Sequence, residues 1–453
     1  MSDIIRQIDR HLDDDLSDDE LADLFQWVGA DEANADLFTR QMLLHQHASE
    51  LLQDGEIQPN VESARSQVSG DPRHRIVWFS AALATVGLLL FVVLQPGSDQ
   101  QAVPPEKAIA TIAYESHARL SDRDCSQGDV IGKGLLELEV GIVRLDFANG
   151  AMVTLQGPAR FEIIGEGRTR LESGILTASI PQSAVGFEVI TPAVDVVDLG
   201  TAFGVSVGAD GETDVCVFEG EVEVSLTEGA ETPQLVREGN AVRSRPKADS
   251  IDSVGYSTER YEDAWPVTSG VLQATGLMKF VSPGPDFVPG RYEDSGYILV
   301  FLERSRVLLK SDLEVNVTEP GQYIRVRRPN RHTIAAGQMV RSYLLQLDPI
   351  GEFTWKEADG ARVIGQITFD RPILGLIGGA NLLIKTDELL GHPQGNYGDN
   401  RRGIEPKRPD DLPDAGRDNV ILSQDRRTLS LDLSARALVD QIRVVVSGQQ
   451  DDR

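Results

Sequence analysis

The chain has 453 residues, 41% of them hydrophobic, and a net charge of −28 from 71 acidic and 43 basic side chains. That length is too great for one ordinary core and the apolar share excludes wholesale disorder, so about two to four domains are expected. So acidic a surface argues against direct nucleic-acid binding, which draws its energy from cations neutralising phosphates.

Residues 1–53 read as short amphipathic helices. Ile4, Ile5, Ile8 and Leu12 keep the three-to-four spacing of one helical face. In "LSDDEL" Ser17 and Glu20 form a capping box, and Asp18, Asp19 and Glu20 fall in the first turn, where the helix dipole favours them. Leu21, Leu24, Phe25 and Val28 share the inner face of that helix, Trp27 stands near its end, and Gly29 closes it. A third helix is expected from about Asn34 to Leu52. Three helices in so few residues make a marginal core, which either serves as a tether or is completed by a partner. Residues 54–75 are polar and without period, a linker.

Residues 76–94, Ile76 to Leu94, contain 19 positions without a charge, enough for a helix of about 28 Å that would match a bilayer's hydrocarbon thickness. Trp78 lies near the entry end, and Arg73, His74 and Arg75 precede the run, whereas the next cation after it is Lys107. This asymmetry predicts a single-pass inner-membrane protein, N-terminus in the cytoplasm and the remainder extracytoplasmic. Residues 1–75 carry 17 acidic and 6 basic side chains, net −11, which leaves −17 for the far side. The two cysteines, Cys125 and Cys216, both follow the run and would share an oxidising compartment, where they could pair. Cys216 sits in an alternating pattern and reads equally as a small buried apolar residue.

After a short linker, 95–109, the period becomes two over residues 110–245. "GIVRLDFANGAMVTLQGPARFEII" reads as three strands with Asn149-Gly150 as a type I′ hairpin turn, and "RTRLESGILTASI" as two strands about Ser173-Gly174. In "FEVITPAVDVVDLGTAFGVSV" Val194, Val196, Leu199 and Phe203 are expected to face inward. Gly200 supplies a bend there, and the Thr201 hydroxyl would satisfy a freed backbone group. Short strands with glycine corners imply an all-β domain, either a sandwich or a coiled stack of hairpins.

The ordered segments "VRLDFANGAMVTL", "RFEII", "RTRLESGILTASI", "FEVITPAVDVVDLGTAFGVSV" and "VCVFEGEVEV" resemble the FecR domain of membrane regulators. Asn149, Gly150, Gly174, Phe187, Gly200, Thr201, Phe203 and Gly220 carry that resemblance as structural positions. The segment "LDDDLSDDELADLFQWVGADEANADLFTRQ" is similar to the helical head that opens such regulators. The resemblance implies that this head binds an alternative sigma factor of the ECF type in the cytoplasm, with Leu21, Leu24, Phe25 and Trp27 as its contact helix. It also implies an envelope module that receives a signal. The family's small C-terminal signalling subdomain has no counterpart here, because residues 265–450 are something longer.

Residues 246–266 are polar and read as a linker, and strands resume over 267–450. Leu429, Leu431 and Leu433 alternate with Ser430 and Asp432 as in a half-buried strand. Residues 391–419, rich in Gly, Pro, Asp and Arg, are expected to form a surface loop. "FDRPILGLI" and "DQIRVVV" are similar to segments of modules at the C-termini of secreted bacterial surface proteins. The expected fold is therefore multidomain: a small α-helical N-terminal bundle, one transmembrane helix, an all-β FecR-type domain and a second all-β, jelly-roll-like sandwich.

No catalytic constellation emerges. His45 and His47 point to different faces of a helix, and His117, His332 and His392 have neither Cys nor a Ser-Gly elbow beside them. Neither a metal nor a cofactor is expected. Two functions stand: a sigma-factor regulator with an envelope sensor, or a membrane-anchored binding or structural protein whose sandwich holds a glycan or protein ligand. A glycan hydrolase is more remote.

Overall fold

A computed structural model describes residue 27 and residues 108–121, 126–228, 232–283, 287–323, 332–350, 361–398, 402–404, 418–435 and 439–448. Two β regions account for almost all of these. They belong to one compact unit, and the second unit, Gln46–Lys107, lies outside the described residues.

The fold expectation needs correction. Among the described residues the chain is mostly β-sheet, with two short α-helices, and no helix is long and apolar enough to cross a membrane. The expected helical bundle at 1–53 and the span with Ile76, Trp78 and Leu94 fall outside the described residues, as do Leu21, Leu24 and Phe25. Trp27 is described, and it is helical and half-buried.

The first β region holds thirteen strands. They are β1 (Ala110–Leu120), β2 (Val130–Ile131), β3 (Gly134–Phe147), β4 (Met152–Gly165), β5 (Arg168–Ser179), β6 (Glu188–Ile190) and β7 (Val194–Asp198), then β8 (Ala202–Val207), β9 (Thr213–Glu219), β10 (Glu221–Leu226), β11 (Gln234–Arg237), β12 (Ala241–Ser244) and β13 (Asp252–Val254). They form one sheet in the order β11-β10-β7-β6-β5-β4-β3-β1-β2, and β8, β9, β12 and β13 continue from β5 as a branch. Five short strands were expected between Gly141 and Ile180, but this stretch belongs to three long ones. The reason is a row of register shifts. Ser116 pairs with Ile142, Ile142 with Gln156 and Gln156 with Ile175, and each adjoining ladder slips at that level. A bulge bends a strand without ending it, so the shifts, stacked side by side, fold each long strand across the core. Leu145, Val153, Leu155, Leu176, Phe161, Phe187 and Phe203 fill that core at no more than 1% exposure. Each fully buried phenylalanine contributes roughly 1.5–3 kcal/mol.

The second region adds β14 (Val271–Gly276), β15 (Met278–Phe280), β16 (Asp294–Leu308), β17 (Leu313–Val315), β18 (Gly321–Tyr323), β19 (His332–Ile334), β20 (Met339–Asp348), β21 (Ala361–Phe369), β22 (Ile373–Ile377), β23 (Asn419–Leu422), β24 (Thr428–Ala435) and β25 (Asp440–Ser447). Helix α1 (Ala264–Ser269) precedes them, and α2 (Ala380–Leu390) follows β22. Two five-stranded sheets, β14-β21-β24-β23-β18 and β15-β16-β20-β25-β22, share one core, in which Ile367, Leu429 and Leu431 meet Val300, Leu345 and Val444. Jelly rolls have eight strands, all antiparallel. Here the two sheets hold ten among the described residues, beside a separate β17-β19 pair, and β15 runs parallel to β16.

This core also holds charge. Glu303 and Arg443, both fully buried, pair through Nε–Oε2 at 2.6 Å and Nη2–Oε1 at 2.7 Å. Arg443 donates further to Thr386 Oγ1 (2.8 Å), Leu383 O (3.1 Å) and Asp387 (2.9 Å), and Tyr397 donates to Glu303 (2.6 Å). Every charge is answered, as a buried ion pair requires. Of the expected surface loop at 391–419, the described part at 402–404 is tied in by this network, because Arg402 is buried and bonds Asp387 and, at 3.1 Å, Gln441.

Candidate functional site

The two β regions meet at a seam built on α1. The segment 246–266, expected to be a linker, contains β13, a 3-10 turn at Glu259–Tyr261 and the start of α1. Pro266 is tolerated within the first turn of α1, where backbone N–H groups lack intrahelical partners. Gly270 ends the helix at φ 103° and ψ 9°, its N–H donating back to Pro266 and Val267. A Cβ at Gly270 would overlap Arg341 Nη1, so both the left-handed backbone and the closeness of the arginine demand glycine.

Apolar packing closes one side of the seam. Tyr261 and Trp265 are buried against Ala202, Cys216, Phe218 and Ala241, with Phe280 and Leu302 of the second region alongside. Phe218 lies 4.6 Å from the Trp265 ring and meets Tyr261 edge-on at 5.4 Å. The Thr268 hydroxyl lies 2.7 Å from those of both Thr154 and Thr177, which fixes α1 on the first sheet.

An ionic cluster closes the other side. Asp370, just after β21, accepts from Arg144 Nη1 of β3 at 2.9 Å and from Arg341 Nη2 of β20. Arg144 also donates to Asp146 (2.8 Å) and to Val267 O (3.2 Å), and Arg341 donates to Ser269 O (2.8 Å). The side chains of Arg144, Arg341 and Asp370 are only 2%, 7% and 7% exposed. Burial alone would raise the Asp370 carboxyl pKa, but Arg341 and Arg144 outweigh it and hold it below the usual carboxylate value. Two regions joined by buried charges and an aromatic cluster form one body.

The predicted motif residues divide into groups. Asn149-Gly150 does turn β3 into β4, but only Gly150 has positive φ, at 94°. The Gly150 N–H donates to Phe147 O (2.9 Å), so Ala148 and Asn149 are the central pair of a type I turn followed by a left-handed glycine. A type I′ turn would need Asn149 at positive φ as well. Gly174 lies inside β5, against Ala159, and Phe187 is fully buried, edge-on to Phe147 at 5.2 Å. Gly200, Thr201 and Gly220 come together, since a Cβ at Gly220 would stand 2.8 Å from Thr201 Cγ2.

Asp198 organises this corner, and the sequence reading passed over it. Its carboxylate accepts from Gly200 N (2.8 Å), Thr201 N (2.9 Å) and the Thr201 hydroxyl. Burial pushes its pKa up to about 6, against the opposing pull of these hydrogen bonds. Thr201 thus serves the carboxylate, whereas a backbone group was expected. Leu199, expected inside, is 38% exposed because the turn begins at Asp198 and breaks the alternation. An Asp followed by Gly-Thr is the signal that would have revealed the turn. Val194, Val196 and Phe203 are buried. Cys216 is a free, buried thiol whose Sγ lies 3.6 Å from Ser257 O, and Cys125 is outside the described residues.

The corner opens on a cleft of about 440 Å³ along the seam. Gln182, Gly200 and Thr201 line it from the first region, and Arg306, Arg341 and Arg371 from the second. Among the described residues no group of three or more His, Cys, Asp or Glu side chains could hold a metal.

Residues 139–223 match the family described as FecR protein. No curated protein matches the chain. Two crystal structures of a candidate anti-sigma factor from Parabacteroides distasonis are similar at 20% identity and a TM-score of 0.23. They cover 28% and 30% of this chain, which spans 59% and 63% of theirs. Residues 139–223, which run from β3 into β10 and include the Asp198 corner, are a FecR domain.

Proposed function

We propose that the chain is a signalling regulator that relays an envelope signal to a cytoplasmic sigma factor of the ECF type, and that it is not an enzyme. The FecR domain at 139–223 carries this reading. The seam supports it further, because a sensing body built from two modules passes on a signal only if neither moves independently. In this reading the amino-terminal segment 1–53 engages the sigma factor, and the β body takes up the signal.

The test is co-purification of the full chain from its own cells, with and without residues 1–53. Recovery of a sigma factor by the full chain and its loss on truncation would support the proposal. Repeated recovery of no sigma factor would refute it. The second reading, a binding or structural protein with a glycan or protein ligand, is favoured by the cleft on the seam. It predicts ligand capture by the full chain with no change in transcription when the gene is deleted.

A further inference from the structure

The cleft has a charge opposite to that of the molecule. Arg306, Arg341 and Arg371 line it, and Glu219 is the one acidic side chain of the lining, in a chain whose net charge is −28. Even with Asp370 counted behind Arg341, guanidinium groups outnumber carboxylates three to two. Glu219 is already engaged, accepting from Ser305 Oγ at 2.9 Å across the seam. Arg371 is half-buried and has no hydrogen bond or ion pair among the described residues. Arg341 is buried and fixed by Asp370 and Ser269, yet its Nε–H has no acceptor. A half-buried cation without a counter-ion is costly, and a bound oxyanion would answer it. A guanidinium presents paired donors that suit carboxylate and phosphate alike, and the volume lies in the range of small-ligand sites.

We infer that the cleft between the FecR domain and the C-terminal sandwich binds a small anionic ligand bearing a carboxylate or phosphate group, held chiefly by Arg371 with Arg306 and Arg341. Gln182, exposed at the rim, offers an amide to a neutral part of the ligand. Such a ligand touches both regions and therefore favours their docked arrangement. The assignment stands whether or not the chain engages a sigma factor.

The test is titration calorimetry of the full-length chain with inorganic phosphate and, separately, with glucuronate, each against sodium chloride of equal ionic strength. Saturable binding of either probe beyond chloride is expected, and the probe that binds tells phosphate from carboxylate. Arg371→Ala should weaken binding roughly ten- to hundredfold, the loss of one charge-assisted contact. Arg306→Ala is a second variant should the first fail to fold. Arg168→Ala, whose exposed side chain pairs with Glu188, should leave binding unchanged. No saturable binding of either probe, or full binding by the folded Arg371 and Arg306 variants, overturns the inference.

Discussion

Replacing Asp370 with asparagine tests whether the seam holds the two β regions together. The substitution keeps the shape and removes the charge between two guanidiniums whose side chains are 2% and 7% exposed. Arg144 would keep Asp146, which is 35% exposed, and Arg341 would keep only the Ser269 carbonyl. Removing one member of a buried pair costs about 3–5 kcal/mol, since the stranded charge cannot regain water. For a body of this size the loss corresponds to a fall in melting temperature of roughly 5–15 °C. Urea and thermal unfolding followed by circular dichroism would measure it, and limited proteolysis should show faster cleavage within 246–260. The effect has a pH signature. The folded carboxyl pKa is depressed, so its contribution is complete above the ordinary value of about 3.9 and is lost as pH falls below it. The gap between wild type and variant should therefore close on acidification below about pH 4. A variant within about 0.5 kcal/mol of wild type at pH 7, in the ordinary range for surface substitutions, would refute the reasoning.

Three further outcomes are expected. Gly270→Ala combines positive φ with overlap on Arg341 and should cost roughly 2–4 kcal/mol in denaturant unfolding, far above an ordinary loop glycine. The Asp198 carboxyl should titrate near 6 by NMR; because its folded pKa is raised, its stabilising contribution is complete below about pH 4 and is lost as pH rises through 6. Asp198→Ala should loosen the Gly200–Thr201 turn at a cost of about 1–3 kcal/mol. Cys216, whose thiol is pushed up to about 12 by burial, should resist a thiol reagent in the native protein and react at the rate of unfolding, and rapid native labelling would contradict its placement.

Local pattern carried much of the β architecture. Alternation at 187–207 and 429–433 marked strands, glycines marked corners, and the order of these segments carried the FecR resemblance, because side-chain period and turn chemistry are properties of neighbouring residues. The same logic failed where neighbours mislead. Leu199 continues an alternation that ends at Asp198, and the bulges at Gly141, Gly157 and Gly174 resembled strand ends. What the sequence determined by itself was which residues would lie in extended chain and which domain they build. The fold alone decided that 246–266 is a docking element, that Arg144 meets Asp370 across 226 positions, and that three arginines face one cleft in an acidic protein. Contacts between charges so far apart in the chain leave no period behind them, and their strength comes from removal from water, which only the closed tertiary structure provides.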